Sequence, residues 1–348
     1  TFISLPGLCI ALNDWRLFRL AIDTMLDDFK DGFFPNIGEG KQAAYNSVDA
    51  PLWFFWTLQQ YAYINDARKE VWQAYSHIMR NILENFSEGV SNVRMDSNFL
   101  LWQGEEGKAL TWMDAIVNGT PVTQRKGYAV EINALWYNAV MFYRELAKLQ
   151  CEDGEIAKWD EFAENFPANF KATFWSKEIG YLADYVDGAY KDFSVRCNMI
   201  FAASLEYSPI SPKIRQLIVE KVKQELLTPR GLRSLSPTHK DYHEIYFGNQ
   251  QERDMAYHNG TVWPWLIGAF SEAFLRVYGK EAVNYIEQIY NEFGNILCDY
   301  CVGSIAEVYD GNPPYKAGGS ISQAWSVAEV CRMKYMIDKC KQFNDSQL

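Results

Sequence analysis

Two kinds of apolar segment alternate along the chain. Five segments carry apolar residues on one face only, at the 3.6-residue spacing of an amphipathic helix that covers a core. Asp14 precedes the first of them as an N-cap, and Ser211 with Pro212 opens the fourth as a cap followed by an N1 proline. These outer segments are 15–29, 71–82, 159–166, 212–222 and 280–297.

The segments between them are apolar or small nearly all round, which is typical of a helix buried on every side. Six inner helices alternating with outer ones predict an all-α fold, an (α/α)6 barrel, with short β-hairpins in the long loops 91–127 and 175–193. One outer helix remains to be assigned, either upstream of residue 1 or at 330–342. The buried segments are 1–12, 47–60, 129–145, 194–206, 260–272 and 320–334.

In such a barrel, the loops that lead into the inner helices surround one end of a funnel, where we expect a ligand to bind. Polar or aromatic residues stand at the entrance of every inner segment after the first. Each of them alone has an ordinary interpretation as a cap or a satisfied buried group. They are Asp49, Trp53, Glu131, Asn133, Arg196, Asn198, His258, Asn259, Trp263, Gln323 and Trp325.

Two acids lie in loops of this kind. Asp114 ends the stretch Thr-Trp-Met-Asp between the second and third inner segments, and Glu307 ends Ser-Ile-Ala-Glu before the sixth. An acid at the mouth of one inner helix and another at the mouth of a later one can form a two-carboxylate active site. The residues alone leave a turn motif at Asp114 and a surface acid at Glu307 as open alternatives.

Composition narrows the class of ligand. With 348 residues and 48% hydrophobic content, the chain can bury a large core as one domain or two. A net charge of −11 argues against nucleic acid, whose phosphates require a basic surface. An aromatic content of 16%, with 12 tryptophans, suits either a cleft that stacks on sugars or an aromatic core.

The spacing of cysteine and histidine residues and the length of the apolar runs predict no cofactor, no metal and no membrane partner. Cys298 and Cys301 form a Cys-x-x-Cys pair without a second pair at ligand spacing, and there is no His-x-x-x-His. Seven scattered cysteines favour a reducing compartment, so we expect a cytoplasmic protein. The sequence contains no run of 18 apolar residues and no signal-peptide pattern at its start.

Seven blocks, in this order, resemble the glucosidase half of the glycogen debranching enzymes, a family related in fold to the glucoamylases. The resemblance implies one catalytic domain over residues 1–348. It also implies amylo-α-1,6-glucosidase activity, in which single α-1,6-linked glucose stubs are removed from trimmed glycogen or another branched α-glucan with inversion. The blocks are NSVDAPLWF (46–54), LTWMDA (110–115), VEINALWYNA (130–139), TPRGLRSL (228–235), YHNGTVWPWLIG (257–268), SIAEVYDG (304–311) and QAWSVAE (323–329).

Carried over to this chain, the resemblance makes Asp114 the general acid and Glu307 the general base. Trp112 and Met113 are expected to form an apolar wall that raises the pKa of Asp114. Glu131 is expected to be either a sugar ligand or a rival acid. The other residues expected to bind a branched α-glucan or malto-oligosaccharide are Asp49, Trp53, Trp112, Arg233, Arg253, His258 and Trp263.

The chain also departs from the family pattern. Related enzymes carry Trp-Gly-Arg-Asp immediately before the position of Thr1, so we expect a fragment that lacks an upstream portion. Two other functions remain open, namely another α-glucosidase or trehalase-type hydrolase on the same barrel, or a non-catalytic α-glucan-binding domain. The sequence leaves the oligomeric state and the exact linkage undetermined.

Overall fold

The computed structural model describes residues 1–36 and 44–345. The predicted domain, 1–348, also includes 37–43 and 346–348, which lie outside the described residues. Within the described ranges, six helices form a closed inner ring in which each packs on the next and the last packs on the first. They are α1 (Ser4–Leu12), α3 (Asp49–Ile64), α5 (Val130–Leu149), α8 (Ile200–Ser204), α11 (Leu266–Tyr278) and α13 (Ala324–Asp345).

Amphipathic helices lie outside this ring, each packed on the inner helices that precede or follow it. The all-α class and the (α/α)6 arrangement are therefore confirmed. The outer helices are α2 (Trp15–Leu26), α4 (Arg68–Glu88), α7 (Asp160–Phe174), α9 (Pro212–Glu225) and α12 (Val283–Gly294). Two shorter helices, α6 (Asp153–Ala157) and α10 (Gln250–Tyr257), lie in connections.

Two outer helices begin at the predicted N-caps. The Asp14 carboxylate accepts hydrogen bonds from the backbone N–H groups of Arg16 and Leu17, each 3.1 Å long, and so caps α2. The Ser211 hydroxyl accepts the N–H of Ile214 at 3.4 Å and caps α9. Both predicted caps are confirmed.

Two helix predictions are wrong. Residues 330–342 do not form a separate outer helix, because they belong to the continuous inner helix α13. Helix α7 does not stop at residue 166 but runs through Pro167 to Phe174. Proline cannot donate the backbone hydrogen bond expected at this position. The packing of Phe166, Phe170 and Phe174 offsets that loss, because the three rings continue one buried stripe at four-residue spacing.

The ring closes through an unusually close approach of α1 and α13. A Cβ atom placed on Gly7 would lie 1.9 Å from the carbonyl oxygen of Ala328, a distance that no side chain tolerates. Glycine at this position therefore lets the two backbones touch. This contact joins the first inner helix to the last and completes the barrel.

The long loops contain the predicted short hairpins. In 91–127, strand β1 (Val93–Met95) pairs with β2 (Leu101–Gln103), and β3 (Ile116–Val117) pairs with β4 (Thr120–Pro121). In 175–193, β6 (Trp175–Ser176) pairs with β7 (Tyr181–Leu182). Strand β8 (Tyr185–Asp187) pairs with both β9 (Tyr190–Asp192) and β5 (Tyr128–Ala129).

A five-stranded antiparallel sheet among the described residues was not predicted. Its strands, in spatial order, are β10 (Leu227–Thr228), β11 (Gly231–Arg233), β12 (Val262–Trp263), β13 (Val308–Tyr309) and β14 (Ala317–Gly318). The inner segment predicted over 260–272 therefore begins as a strand, and its helix starts only at Leu266. Pairing of Val262 with Tyr309 brings the loop before α13 beside Trp263.

None of the described helices combines the length and the apolar character that crossing a membrane would require.

Candidate active site

A cavity of about 300 Å³ lies at the end of the ring where the chain enters the inner helices. Its walls come from the starts of α1 and α3 and from the loops that precede α5, α11 and α13. Six of the ten residues predicted for the site line it: Asp49, Trp53, Trp112, Asp114, Trp263 and Glu307. The barrel thus brings both candidate acids, separated by 193 positions in the sequence, to one cavity.

Asp114 lines this cavity. Solvent reaches its side chain through the cavity, while protein atoms surround it on most other sides. This partial burial raises the pKa of Asp114 from 3.8 to about 6, because it weakens hydration of the charged form. The negative charges of Asp49, Glu307 and Asp254 act in the same direction. With this pKa, about half of the Asp114 carboxyl groups are protonated at pH 6 and about a tenth at pH 7.

Two hydrogen bonds orient Glu307. The hydroxyl of Tyr257 donates to Oε1 at 2.6 Å, and the backbone N–H of Ser320 donates to Oε2 at 2.8 Å. Gly319 adopts a φ of +66°, and a Cβ there would lie 2.4 Å from Oε2, so the close approach requires glycine. These contacts hold the carboxylate in one position just before β13.

Asp49 is buried in the first turn of α3 and accepts a short hydrogen bond from the Ser47 hydroxyl. Burial raises the pKa of Asp49, while this hydrogen bond opposes the rise. The N-terminal end of a helix is also a favourable place for a negative charge. The residue therefore presents a hydrogen-bond acceptor to the cavity near both candidate catalytic acids.

Tryptophan rings form much of the cavity wall and pack on one another. Trp112 meets Trp263 and Trp265 edge to face, with ring centroids 5.3 and 5.2 Å apart. Trp325 stacks on Trp265 at 5.0 Å. Such mutual contacts fix the rings, so that their faces and edges form a rigid apolar wall suited to the C–H faces of a sugar.

A buried ion cluster lies under the Thr-Trp-Met-Asp loop. The guanidinium of Arg125 makes a bidentate contact with Glu131 and donates through Nε to Asp184 Oδ2 at 2.7 Å. The side chain of Arg125 is only 4% exposed, and those of Glu131 and Asp184 are each 1% exposed. Burial alone would lower the pKa of Arg125, but the two carboxylates outweigh it and hold the pKa above its usual value.

This cluster reaches the loop through Thr111 and through Asn198. Arg125 Nη1 donates to the Thr111 hydroxyl at 3.3 Å. The amide of Asn198 donates to Asp184 Oδ1 at 2.8 Å and, through its oxygen, accepts the indole N–H of Trp112 at 2.8 Å. The cluster therefore holds the residues that immediately precede Asp114.

Four predicted ligands do not belong to the cavity lining. Glu131 lies in the ion cluster. Arg233 donates to the carbonyl of Gly311 at 2.8 Å, and Arg253 donates to the carbonyl of Gly248 at 2.7 Å, so both brace loops. His258 is fully buried and stacks on Trp263, and burial lowers its pKa to about 3, which keeps the ring neutral.

Several lining residues were not assigned to the site from the sequence. Tyr257, which holds Glu307, and Ser47, which holds Asp49, lie in the blocks YHNGTVWPWLIG and NSVDAPLWF but were given no role. Besides these blocks, their positions gave a signal, since each stands one or two residues before a predicted rim residue. Gln323 and Trp325 were recognised at the rim without a role, and both line the cavity.

No group of three or more histidine, cysteine, aspartate or glutamate side chains in the described ranges is arranged to hold a metal ion.

A helical barrel whose cavity combines two carboxylates from separate loops with tryptophan walls has the features of a glycoside hydrolase. Comparison with known families agrees. The family model described as amylo-alpha-1,6-glucosidase matches residues 1–332, and the chain belongs to this family. The resemblance to debranching enzymes is thereby confirmed, and with it the class of glycoside hydrolase.

Individual relatives are more distant. The glycogen debranching enzyme of Saccharomyces cerevisiae is 24% identical over 369 aligned residues, which cover 80% of this chain and 24% of that protein. The chain thus spans about a quarter of the length of this curated relative.

Solved structures also resemble the barrel. An uncharacterised conserved protein from Thermus thermophilus matches with a TM-score of 0.67 and 14% identity, over 96% of this chain and 92% of that one, and so shares the fold. Neutral trehalase Nth1 from Saccharomyces cerevisiae matches with a TM-score of 0.45 and 18% identity, over 61% of this chain and 40% of that one. The second likeness is too loose to bear on the fold.

The ion cluster predicts that Arg125→Met is strongly destabilising. Removing the guanidinium leaves Glu131 buried without a counter-charge and leaves Asp184 with only Arg196, whose Nε lies 4.0 Å from Oδ2. We expect a loss of about 3–5 kcal/mol in the free energy of unfolding. Urea unfolding measures this loss. The matched control is Arg19→Met, because Arg19 forms an exposed pair with Glu70 and should change the free energy by less than about 1 kcal/mol. Equal losses of unfolding free energy in the two variants would contradict a stabilising role for the buried ion cluster.

The raised pKa of Asp114 predicts a pH-dependent effect of Asp114→Asn on stability. Between about pH 4 and 6, the folded state keeps a proton that the unfolded chain has released, so this group makes stability fall as the pH rises. The variant lacks this penalty. The melting temperature of the variant relative to the wild type, measured by circular dichroism, should therefore rise between about pH 4 and 6 and stay constant above that range.

Asp187→Asn, at an exposed position in β8, serves as the control for this measurement. A melting-temperature difference between Asp114→Asn and the wild type that stays constant from about pH 4 to 7 would show that the pKa of Asp114 is not raised.

Proposed function

We propose that this domain hydrolyses single α-1,6-linked glucose units from a branched α-glucan with inversion, with Asp114 as general acid and Glu307 as general base. The observation that carries the proposal is the presence of both carboxyl groups in one tryptophan-walled cavity. They come from different loops and are held by different contacts. Membership of the amylo-alpha-1,6-glucosidase family supports the choice of linkage.

The two carboxyl groups suit different tasks. Asp114, with a pKa of about 6, is partly protonated near neutral pH and can donate a proton to the glycosidic oxygen as the bond breaks. Glu307, held by Tyr257 and the backbone of Ser320, can accept a proton from the water that attacks the anomeric carbon. In an inverting enzyme the two groups stand about 6.5–9.5 Å apart, which leaves room for that water.

The remaining lining suits a terminal sugar. A cavity of about 300 Å³ is at the small end of ligand sites, which favours one sugar unit over an internal stretch of polymer. Asp49 offers a buried acceptor for hydroxyl groups, and Trp53, Trp112 and Trp263 offer apolar surfaces. The rest of the glucan then lies outside the cavity as the leaving group.

Separate replacement of the two acids tests this proposal. Asp114→Asn and Glu307→Gln should each lower kcat for glucose release from a limit dextrin with single glucose stubs by about 10²–10⁴-fold, because each removes one proton-transfer group. Binding of malto-oligosaccharide, measured by calorimetry, should remain. Asp187→Asn is the control and should leave kcat unchanged.

Undiminished kcat in either variant would remove that residue from the mechanism. A wild-type protein that binds the glucan but releases no glucose would instead identify a non-catalytic glucan-binding domain.

A further inference from the structure

A second, larger cavity of about 800 Å³ adjoins the candidate active site. It is an open groove between the loop 244–247 and the loop 310–317. Tyr246 connects the two sites, because it lines the groove and packs on Tyr257 with ring centroids 5.5 Å apart. Tyr257 in turn lines the first cavity and donates to Glu307. The groove therefore lies beside the carboxylate proposed as the base.

Apolar side chains stand open to solvent along this groove. Phe247 is 81% exposed and Ile245 is 55% exposed, the former the most exposed aromatic residue among the described positions. The ring of Phe247 makes no aromatic contact within the described part of the chain. Large side chains held at the surface beside a concavity are typical of a binding site.

Polar groups line the same groove. Asp310, only 6% exposed, accepts the backbone N–H of Tyr246 at 2.8 Å, which places its carboxylate beneath the aromatic loop. Asn312 is fixed by Glu244, to which it donates at 2.9 Å. The side chain of Lys316 is exposed and makes no hydrogen bond or salt bridge within the described ranges. The lining thus combines fixed acceptors, an exposed cation and an exposed ring.

We infer that this groove binds the α-1,4-linked main chain of the glucan from which the stub is cleaved. The inference rests on the proposed function. A sugar polymer is neutral and presents C–H faces to aromatic rings and hydroxyl groups to acceptors and donors, which matches this mixed lining. An apolar peptide helix would cover the exposed ammonium group of Lys316 without offering it a hydrogen-bond acceptor.

The first cavity supplies an independent argument for this occupant. Because its volume of about 300 Å³ favours one sugar unit, the main chain that carries the stub has to pass along the surface outside it. The groove lies directly next to it, on the far side of the Tyr246 and Tyr257 pair, and is more than twice as large. A main chain resting there would be retained while the stub is cleaved.

Phe247→Ala tests this inference, since so exposed a side chain can be removed without disturbing the fold. Kinetics are compared on isomaltose, whose leaving group is a single glucose, and on a limit dextrin with single glucose stubs. We expect KM for the dextrin to rise about tenfold, equivalent to ~1.4 kcal/mol of lost contact, with kcat and the isomaltose kinetics unchanged. Tyr190→Ala, at another exposed aromatic position, should change neither KM.

An unchanged KM for the dextrin in Phe247→Ala would overturn the inference. If the wild type releases glucose from neither substrate, the proposed function fails, and the groove is tested alone by calorimetric binding of maltoheptaose. A loss of affinity of about tenfold in Phe247→Ala but not in Tyr190→Ala would then support the groove as a glucan site. Equal affinity in all three proteins would refute it.

Discussion

The position of Asp114, the proposed acid, depends on the burial of Arg125 between Glu131 and Asp184. Buried charges are costly unless they are paired, and Arg125 supplies the nearest counter-charge for both carboxylates. Through Thr111 and Asn198, the cluster reaches the residues that precede Asp114 and fixes the indole of Trp112. These contacts hold the loop with its acid in the cavity, where partial burial raises the pKa of Asp114.

Glu307, the second acid, is positioned by strand pairing and by its own hydrogen bonds. The short sheet joins strands that begin far apart in the sequence, and the pairing of Val262 with Tyr309 sets Glu307 beside Trp263. Gly319 and Tyr257 then fix its carboxylate. The helical ring supplies only the frame, closed by the glycine contact between α1 and α13. The chemistry rests on loops that two unrelated sets of polar contacts anchor to that frame.

Most of the fold was predictable because helical burial leaves a long periodic trace. Strands β12 and β13 have two residues each, too few to show alternation, so the sheet could not be foreseen. The site was predictable in part. Position at a helix entrance identifies the rim but not the direction of a side chain, which is why Glu131 and His258 were expected in the cavity. Asp184 lies 59 residues from Arg125, and no local pattern links them.

The central claim is that two separate carboxyl groups act together on a glucose stub, one as acid and one as base. Proton NMR of the first glucose released from an α-1,6-stubbed dextrin tests this most directly, before the anomers equilibrate. Attack by a water that a base activates on the face opposite the leaving group inverts the anomeric carbon, so the account predicts β-glucose. Release of α-glucose would show retention and contradict it.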